Sequence, residues 1–405
     1  MSTFRDQLQS IADGAPAVDL AERVIRRAER RRRGARAAAG AVVLAVAVAV
    51  VAAGGAIVTG GQRGGVITSG VITSKVTDTL PASGVGPLSH AYYDWCGEEW
   101  TPGRNTHTFA RECAQWNVVT RAGRTYRMPE ALSVYTEQSA DEYMNTNAPL
   151  VISADGERVA YYSEKDQAFA VRDLHGGQVW TVPVPVSRAE LVARPVLLLL
   201  SPGGTRLGLW GGSGLDVVVE VETGHVTHLP DGWHVRAVGD AGGPVIVTRE
   251  GRDDELGALR EDGTVRAFPP LEDTPPPDLG QPSPDGRTLA YLTGMTGAAT
   301  STPGPSERST ANATIVTLDA ATGETLRRTR LRGAPRDFGA MRVGGWLSRT
   351  EVVVTEPVMD RVPKRGETPT LGERTYRVDV RTGRVRPLAV HTFRGWAGSL
   401  ELPGF

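Results

Sequence analysis

The chain has 405 residues, with 45 Lys and Arg against 46 Asp and Glu, and its formal net charge is −1. That length suffices for a large core, and the near-even balance carries no general nucleic-acid signature. The charge is unevenly placed, however: residues 1–36 hold nine Arg and five acids, the remainder 36 basic and 41 acidic residues.

Residues 1–36 are expected to form a basic, cytoplasmic helical segment in two parts. Phe4, Leu8 and Ile11 share one helical face, Gly14 and Pro16 break it, and Asp19 with Glu22 opens a second helix. An Arg cluster of this kind orients a membrane anchor. The rival reading is a docking peptide for a cytoplasmic partner such as a sigma factor. The segment has no Cys or His, which excludes a zinc-binding anti-sigma domain, and it is too short for a three-helix DNA-binding domain. Only three basic residues of the whole chain are Lys, a skew expected of a GC-rich genome such as an actinobacterium's.

Residues 37–59 form an uncharged run rich in Ala and Val, long enough to cross a bilayer as a helix. Arg30–Arg33 and Arg36 precede it and nothing comparable follows. The positive-inside rule then leaves the N-terminus in the cytoplasm and places residues 60–405 outside. A cleaved signal peptide, cut near Ala53–Ala56, is the alternative, against which the 36-residue leader is long.

Residues 60–87 are rich in Gly, Ser and Thr and read as a flexible linker. The echo Gly65–Ser69 and Gly70–Ser74 is too short for a folding repeat but long enough for a short extended strand. Beyond it stand the two cysteines, Cys96 and Cys113, with Trp95, Trp100 and Trp116 around them. An even count in an oxidising compartment favours a disulfide, with two free buried thiols as the alternative. Zinc is disfavoured, because His90 and His107 complete no four-ligand spacing.

From residue 88 to 405 two signals alternate. One is a tight turn running into a buried strand: Ser153-Ala154-Asp155-Gly156 before Arg158–Tyr162, Ser201-Pro202-Gly203-Gly204 before Arg206–Trp210, and Ser283-Pro284-Asp285-Gly286 before Thr288–Leu292. The other is a hairpin of alternating β-branched and polar residues with Gly at its turn, at Gly123, Gly177, Gly224, Gly263, Gly323 and Gly383. These glycines are spaced by 54, 47, 39, 60 and 60 residues, which leaves room for about four strands per period. Four-stranded units of that size predict an all-β fold, a β-propeller of six blades, preceded by the single transmembrane helix. Gly294–Asn312 and Glu356–Arg374 stand out as insertions and Pro269–Pro277 as an inter-blade link.

The Ser-Pro-Asp-Gly turns resemble those of the TolB-like, WD-repeat-like β-propeller family, over roughly residues 115–390. Asp285, Gly286, Asp319, Thr322 and Gly323 match best. In that family the first turn joins the inner two strands of a blade and the Asp-x-x-Thr-Gly turn joins the outer two. The resemblance implies a fold and no particular activity, and Asp155, Gly156, Gly204, Asp285 and Gly286 are read as structural. True WD repeats differ, since no Trp-Asp pair occurs, and a sialidase spaces its turn residues differently. The tail Phe393–Leu402 resembles the blade opening at Arg342–Val354, so it is expected to supply inner strands to a blade whose outer strands are Trp116–Tyr126. Seven blades result instead if Tyr92–Thr108 makes its own.

No motif for nucleophilic catalysis or phosphate binding is present. The seven His are expected to be isolated at the surface, and Asp253-Asp254-Glu255 to be solvated turn acids. No catalytic, metal or cofactor residue is assigned and no cofactor is expected. The expected role is a non-enzymatic protein-interaction scaffold or sensor in the cell envelope. Its partner would be an envelope protein or cell-wall component. The alternatives are a cell-wall or small-molecule binding module and, third, a propeller hydrolase or lyase, which convergent carboxylates and His in the central pocket would favour.

Overall fold

The computed structural model describes residues 67–68, 78–94, 99–101, 106–108, 115–133, 148–193, 196–211, 215–249, 255–271, 279–294, 313–335, 342–359, 370–394 and 400–405. The basic segment, the apolar run 37–59, Cys96 and Cys113 lie outside these residues. Among the described residues no helix is long and apolar enough to cross a membrane.

The strands follow the expected alternation. After β1 (Ile67–Thr68), the first blade holds β2 (Leu88–Asp94), β5 (Gln115–Thr120) and β6 (Thr125–Arg127). Between β2 and β5 the chain makes a separate two-stranded ladder of β3 (Glu99–Thr101) and β4 (Thr106–Thr108). The second blade is β7 (Leu150–Ile152), β8 (Arg158–Ser163), β9 (Ala168–Asp173) and β10 (Val179–Pro185). A six-residue helix, α1 (Arg188–Ala193), leads to the third: β11 (Leu197–Leu200), β12 (Arg206–Trp210), β13 (Val217–Glu220) and β14 (Val226–His228). The fourth is β15 (Trp233–Val238), β16 (Val245–Arg249), β17 (Glu255–Leu259) and β18 (Val265–Ala267). The fifth has β19 (Thr288–Thr293), β20 (Thr314–Asp319) and β21 (Thr325–Arg330). The sixth has β22 (Arg342–Trp346), β23 (Glu351–Met359), β24 (Thr370–Asp379) and β25 (Val385–Arg394).

Closure comes from β26 (Leu400–Glu401), which takes the inner place of the first blade through Tyr92 opposite Leu400 and Ala91 opposite Glu401. Six blades result. Tyr92–Asp94 continue β2 and begin no seventh blade, because their polar groups are already paired with Gln115–Asn117. The tail gives one inner strand rather than several, the second strand of that blade being β2. The chain then crosses to the second blade, where Gly404 N donates to Ile152 O at 3.0 Å.

Apolar side chains fill the gaps between blades. Tyr162, Phe169, Val171, Leu200, Leu207 and Leu209 make one such layer, and Leu289, Tyr291, Val316 and Leu318 belong to another. The fifth blade lacks a regular inner strand. Gly280 N donates to Ala290 O, but Pro282 has no N–H to continue the ladder. Gln281 stitches the gap instead, its Oε1 accepting from Val238 N at 3.1 Å and its O from Trp346 Nε1 at 2.8 Å.

The inner turns work through a Ser–Asp pair. Ser283 Oγ donates to Asp285 Oδ1 at 2.7 Å and accepts from Thr288 N at 2.9 Å, and Ser153 with Asp155 does the same. In the third blade Gly203 stands at the Asp position. Asp240 of the fourth blade fills the vacancy, its Oδ1 accepting from Ser201 Oγ at 2.8 Å, Gly203 N at 2.9 Å and Thr205 Oγ1 at 3.0 Å.

Outer turns carry the six spaced glycines, with φ from +71° to +81°. Several of these turns also press on neighbouring chain. At Gly383 a side chain would strike the Arg330 carbonyl, and at Gly323 the Phe268 ring, whereas Gly123 and Gly263 face open space.

Two segments differ from a plain loop. Ile67–Thr68 runs parallel to β25, opposite Ala389 and Val390, as the short extended strand expected of the echo. Residues 78–87 are already tied to the propeller: Leu80 N donates to Arg127 O and Val85 N to Leu174 O. Within the expected insertion Glu356–Arg374, residues up to Met359 and from Thr370 form a regular ladder, because Glu356–Met359 pair residue by residue with Leu371–Arg374.

Candidate functional site

An up-and-down blade sends its first-to-second and third-to-fourth turns out of one end and its other connections out of the opposite end. The first set is uniformly tight: Ser153–Glu157, Ser201–Thr205 and Ser283–Arg287 among the inner turns, Thr120–Arg124 and Asp319–Glu324 among the outer. The second set holds the long spacings. Thr293 to Thr314, Met359 to Thr370, Asp94 to Gln115 and Arg127 to Leu150 all leave from that end, as does α1. One end of the ring is therefore closed by short turns and the other carries most of the variable chain.

Beneath that end, the seam between the sixth and first blades gathers several charged and polar side chains. Arg342 opens β22 and lies opposite Thr355, while Glu373 lies opposite His391 across β24 and β25. The first blade contributes His90 and Glu401. The two imidazoles are buried and meet at 4.8 Å between ring centroids. Burial pushes the His391 pKa down to about 4; burial and the neighbouring His391 push His90 down to about 3. Both are neutral at physiological pH.

The carboxyls move the other way. Burial raises Glu373, against Arg342 and a hydrogen bond from Thr355. Burial, with Glu373 adding to it and Arg342 opposing, brings Glu401 up to about 7. Arg342 itself lies over the Phe405 ring, 5.1 Å from its centre. Arg342 Nη2, Glu373 Oε2 and His391 Nδ1 are buried and find no partner among the described residues. Such atoms are costly unless something satisfies them. The seam thus gathers two acceptor-rich carboxyls, one guanidinium and two neutral imidazoles. It suits a small polar ligand offering both donors and acceptors.

Two smaller polar groups lie elsewhere. On the opposite face of the sixth blade, Tyr376 Oη donates to Glu356 Oε2 at 2.8 Å and Arg374 Nη1 does so at 3.1 Å. Burial pushes the Tyr376 phenol up to about 12. Between the third and fourth blades, His234 Nδ1 meets Asp216 Oδ1 at 2.8 Å beside the Trp210 ring.

The residues singled out in the sequence fall mostly outside these groups. Asp155, Gly156, Gly204, Asp285 and Gly286 form the inner turns, and Gly123, Gly177, Gly224, Gly263, Gly323 and Gly383 the outer ones. Trp116 is buried edge-on against Tyr93. The expectation of isolated surface histidines holds for His225 and His228, which are exposed, and fails for His90 and His391. Those two lie 301 positions apart and meet only because the C-terminal strand closes the ring. The signal within reach was the register of that closure, together with charged residues inside predicted strands, such as Glu373 and Glu401. Among the described residues no three His, Cys, Asp or Glu converge as a metal site.

No protein-family model matches the chain, and no curated protein matches it. Solved structures similar to it include TolB from Agrobacterium tumefaciens, 13% identical over 79% of this chain and 99% of that one, with a TM-score of 0.41. Oligogalacturonate lyase from Vibrio parahaemolyticus is 14% identical over 75% and 79%, with a TM-score of 0.38. Hydrazine synthase from Kuenenia stuttgartiensis is 15% identical over 60% and 70%, with a TM-score of 0.33. The six-blade architecture rests on the chain's own strand pairing.

Proposed function

We propose that this chain is a single-pass membrane protein, N-terminus inside, whose extracytoplasmic six-bladed propeller is a non-enzymatic scaffold or sensor of the cell envelope. Its partner is an envelope protein or cell-wall component, and the end bearing the long connections is the binding face. The observation that supports this reading most is the asymmetry of the ring, with short interlocked turns at one end and the long spacings at the other. Long connections held by a rigid scaffold are where binding surfaces are built. The apolar run 37–59 with its Arg flank supports the anchored topology.

A second reading, a small-molecule binding module, is favoured by the seam of Arg342, Glu373, Glu401, His90 and His391, with its unpaired buried atoms. Affinity capture from cells tests the first. The full chain should recover partners that are lost when residues 295–312 and 360–369 are each replaced by an Asn-Gly turn. Equal recovery by both forms defeats the loop-face assignment.

A further inference from the structure

The outer edge of the fifth and sixth blades is strongly basic. Arg327, Arg328 and Arg330 are exposed on the edge strand β21, Arg332 follows it, and Arg384 and Arg386 are exposed at the start of β25. The two edges form one surface, because Arg332 N donates to Gly383 O at 2.7 Å and Val385 N to Arg332 O at 2.8 Å. On these segments Glu324 is the one exposed carboxylate among the described residues. Asp319 and Asp379 turn inward, their Oδ1 atoms accepting from the amides of their own turns.

Like charges also stand directly opposite one another. Arg332 bridges Arg384, and Arg377 lies opposite Arg386. Such pairs are unfavourable unless an anion lies between or over them. Residues 37–405 carry more acids than bases, so this strip is a local reversal of sign and not a general property of the domain.

Its position relative to the chain's path identifies the occupant. Ile67–Thr68 lies parallel to Ala389–Val390 of β25, within the same sixth-blade edge. Seven residues separate Thr59, the end of the apolar run, from Ile67. A stretch of that length reaches at most about 25 Å. A bilayer holding the run is therefore within reach of the strip. Charge complementarity does the rest, since juxtamembrane Arg and Lys are drawn to anionic headgroups over about a Debye length.

We propose that the arginine strip of β21 and β25 docks the propeller edge-on against the anionic lipid surface of the membrane that anchors the chain. The proposal rests on the anchored topology given above. In that arrangement the long-connection end faces sideways along the membrane, not straight away from it.

The test is arginine-selective glyoxal modification, read by mass spectrometry, of the full chain in lipid nanodiscs. One set is phosphatidylcholine alone and the other contains one-third phosphatidylglycerol. Arg327, Arg328 and Arg386 should react at least about fivefold more slowly in the anionic discs, with the difference lost in 0.5 M salt. Arg260, on a turn of the fourth blade, serves as the control and should react equally in both. The triple variant R327E/R328E/R386E should abolish the lipid dependence at Arg332 and Arg384.

Equal modification of the strip in both lipids overturns the proposal, as does protection that needs an added wall polymer rather than the lipid. Failure of the anchor is read separately, as failure of the chain to co-elute with either disc. In that event the same chain must still sediment with phosphatidylglycerol vesicles, and the triple variant must not; otherwise the strip assignment falls as well.

Discussion

Two outer-turn glycines differ in surroundings and little else. Gly263 has φ +80° and Gly383 φ +72°, and each ends a tight turn between the outer strands of a blade. An alanine at either position bears the left-handed backbone cost, about 1–2 kcal/mol. At Gly263 nothing else is touched. At Gly383 the new methyl falls on the Arg330 carbonyl oxygen, which belongs to backbone and has little room to yield. Three hydrogen bonds hold that junction: Thr329 Oγ1 to Val380 O at 2.8 Å, Arg332 N to Gly383 O at 2.7 Å and Val385 N to Arg332 O at 2.8 Å. Parting the two blades far enough for a methyl disrupts two or three of them, at about 1 kcal/mol each. G263A should then cost about 1–2 kcal/mol and G383A about 3–5 kcal/mol, measured by equilibrium urea unfolding of the full chain. Equal costs for the two variants would refute the claim that the outer turn of the sixth blade is locked against the fifth.

Further expectations concern the seam and the borrowed carboxylate. Glu401 has its folded pKa raised to about 7 from 4.5, so its contribution to stability is present below pH 4.5 and lost as pH rises through 7. Glu401→Gln should therefore raise stability at pH 8 relative to pH 5, by up to about 3 kcal/mol, and a gain equal at both pH values would sink this reading. His90 and His391 have lowered pKa values, so their contribution is present above about pH 6.5 and lost as pH falls toward 4 and below. His391→Asn should flatten the acid side of a thermal-melt profile and leave the slope above pH 7 in place. Asp240→Ala removes three hydrogen bonds to the third blade's inner turn and should destabilise by about 3 kcal/mol in urea unfolding, whereas Asp285→Ala, which loses the bonds from Ser283 Oγ and Arg287 N within its own turn, should cost about 1–2 kcal/mol.

Much of the architecture was legible because it is local. The turn glycines sit at positions that need a positive φ, and the strands beside them alternate with the period of two that a half-buried sheet imposes. Those two signals give blade boundaries, the six-blade count and even the use of the tail to close the ring. What escaped reading is non-local. The partner of Gly203's turn is Asp240, in another blade, and nothing local to Ser201–Gly204 points to that exchange. His90 and His391 looked solitary because each meets the other only across two blades. Charge and Pro357, Pro363 and Pro369 made Glu356–Arg374 read as an insertion, although Glu356–Met359 continue the ladder opposite Leu371–Arg374. The asymmetry between the two ends of the ring needed the strand order as well as the spacings.

The claim that the long-connection end is the binding face is tested most directly by photocrosslinking in intact cells. A photoreactive residue replaces either Lys165, exposed in the turn between β8 and β9 at that end, or Glu261, exposed in the turn between β17 and β18 at the other. Crosslinks to an envelope protein or wall component are expected from position 165 and none above background from 261. Crosslinks from 261 with position 165 silent would contradict the claim.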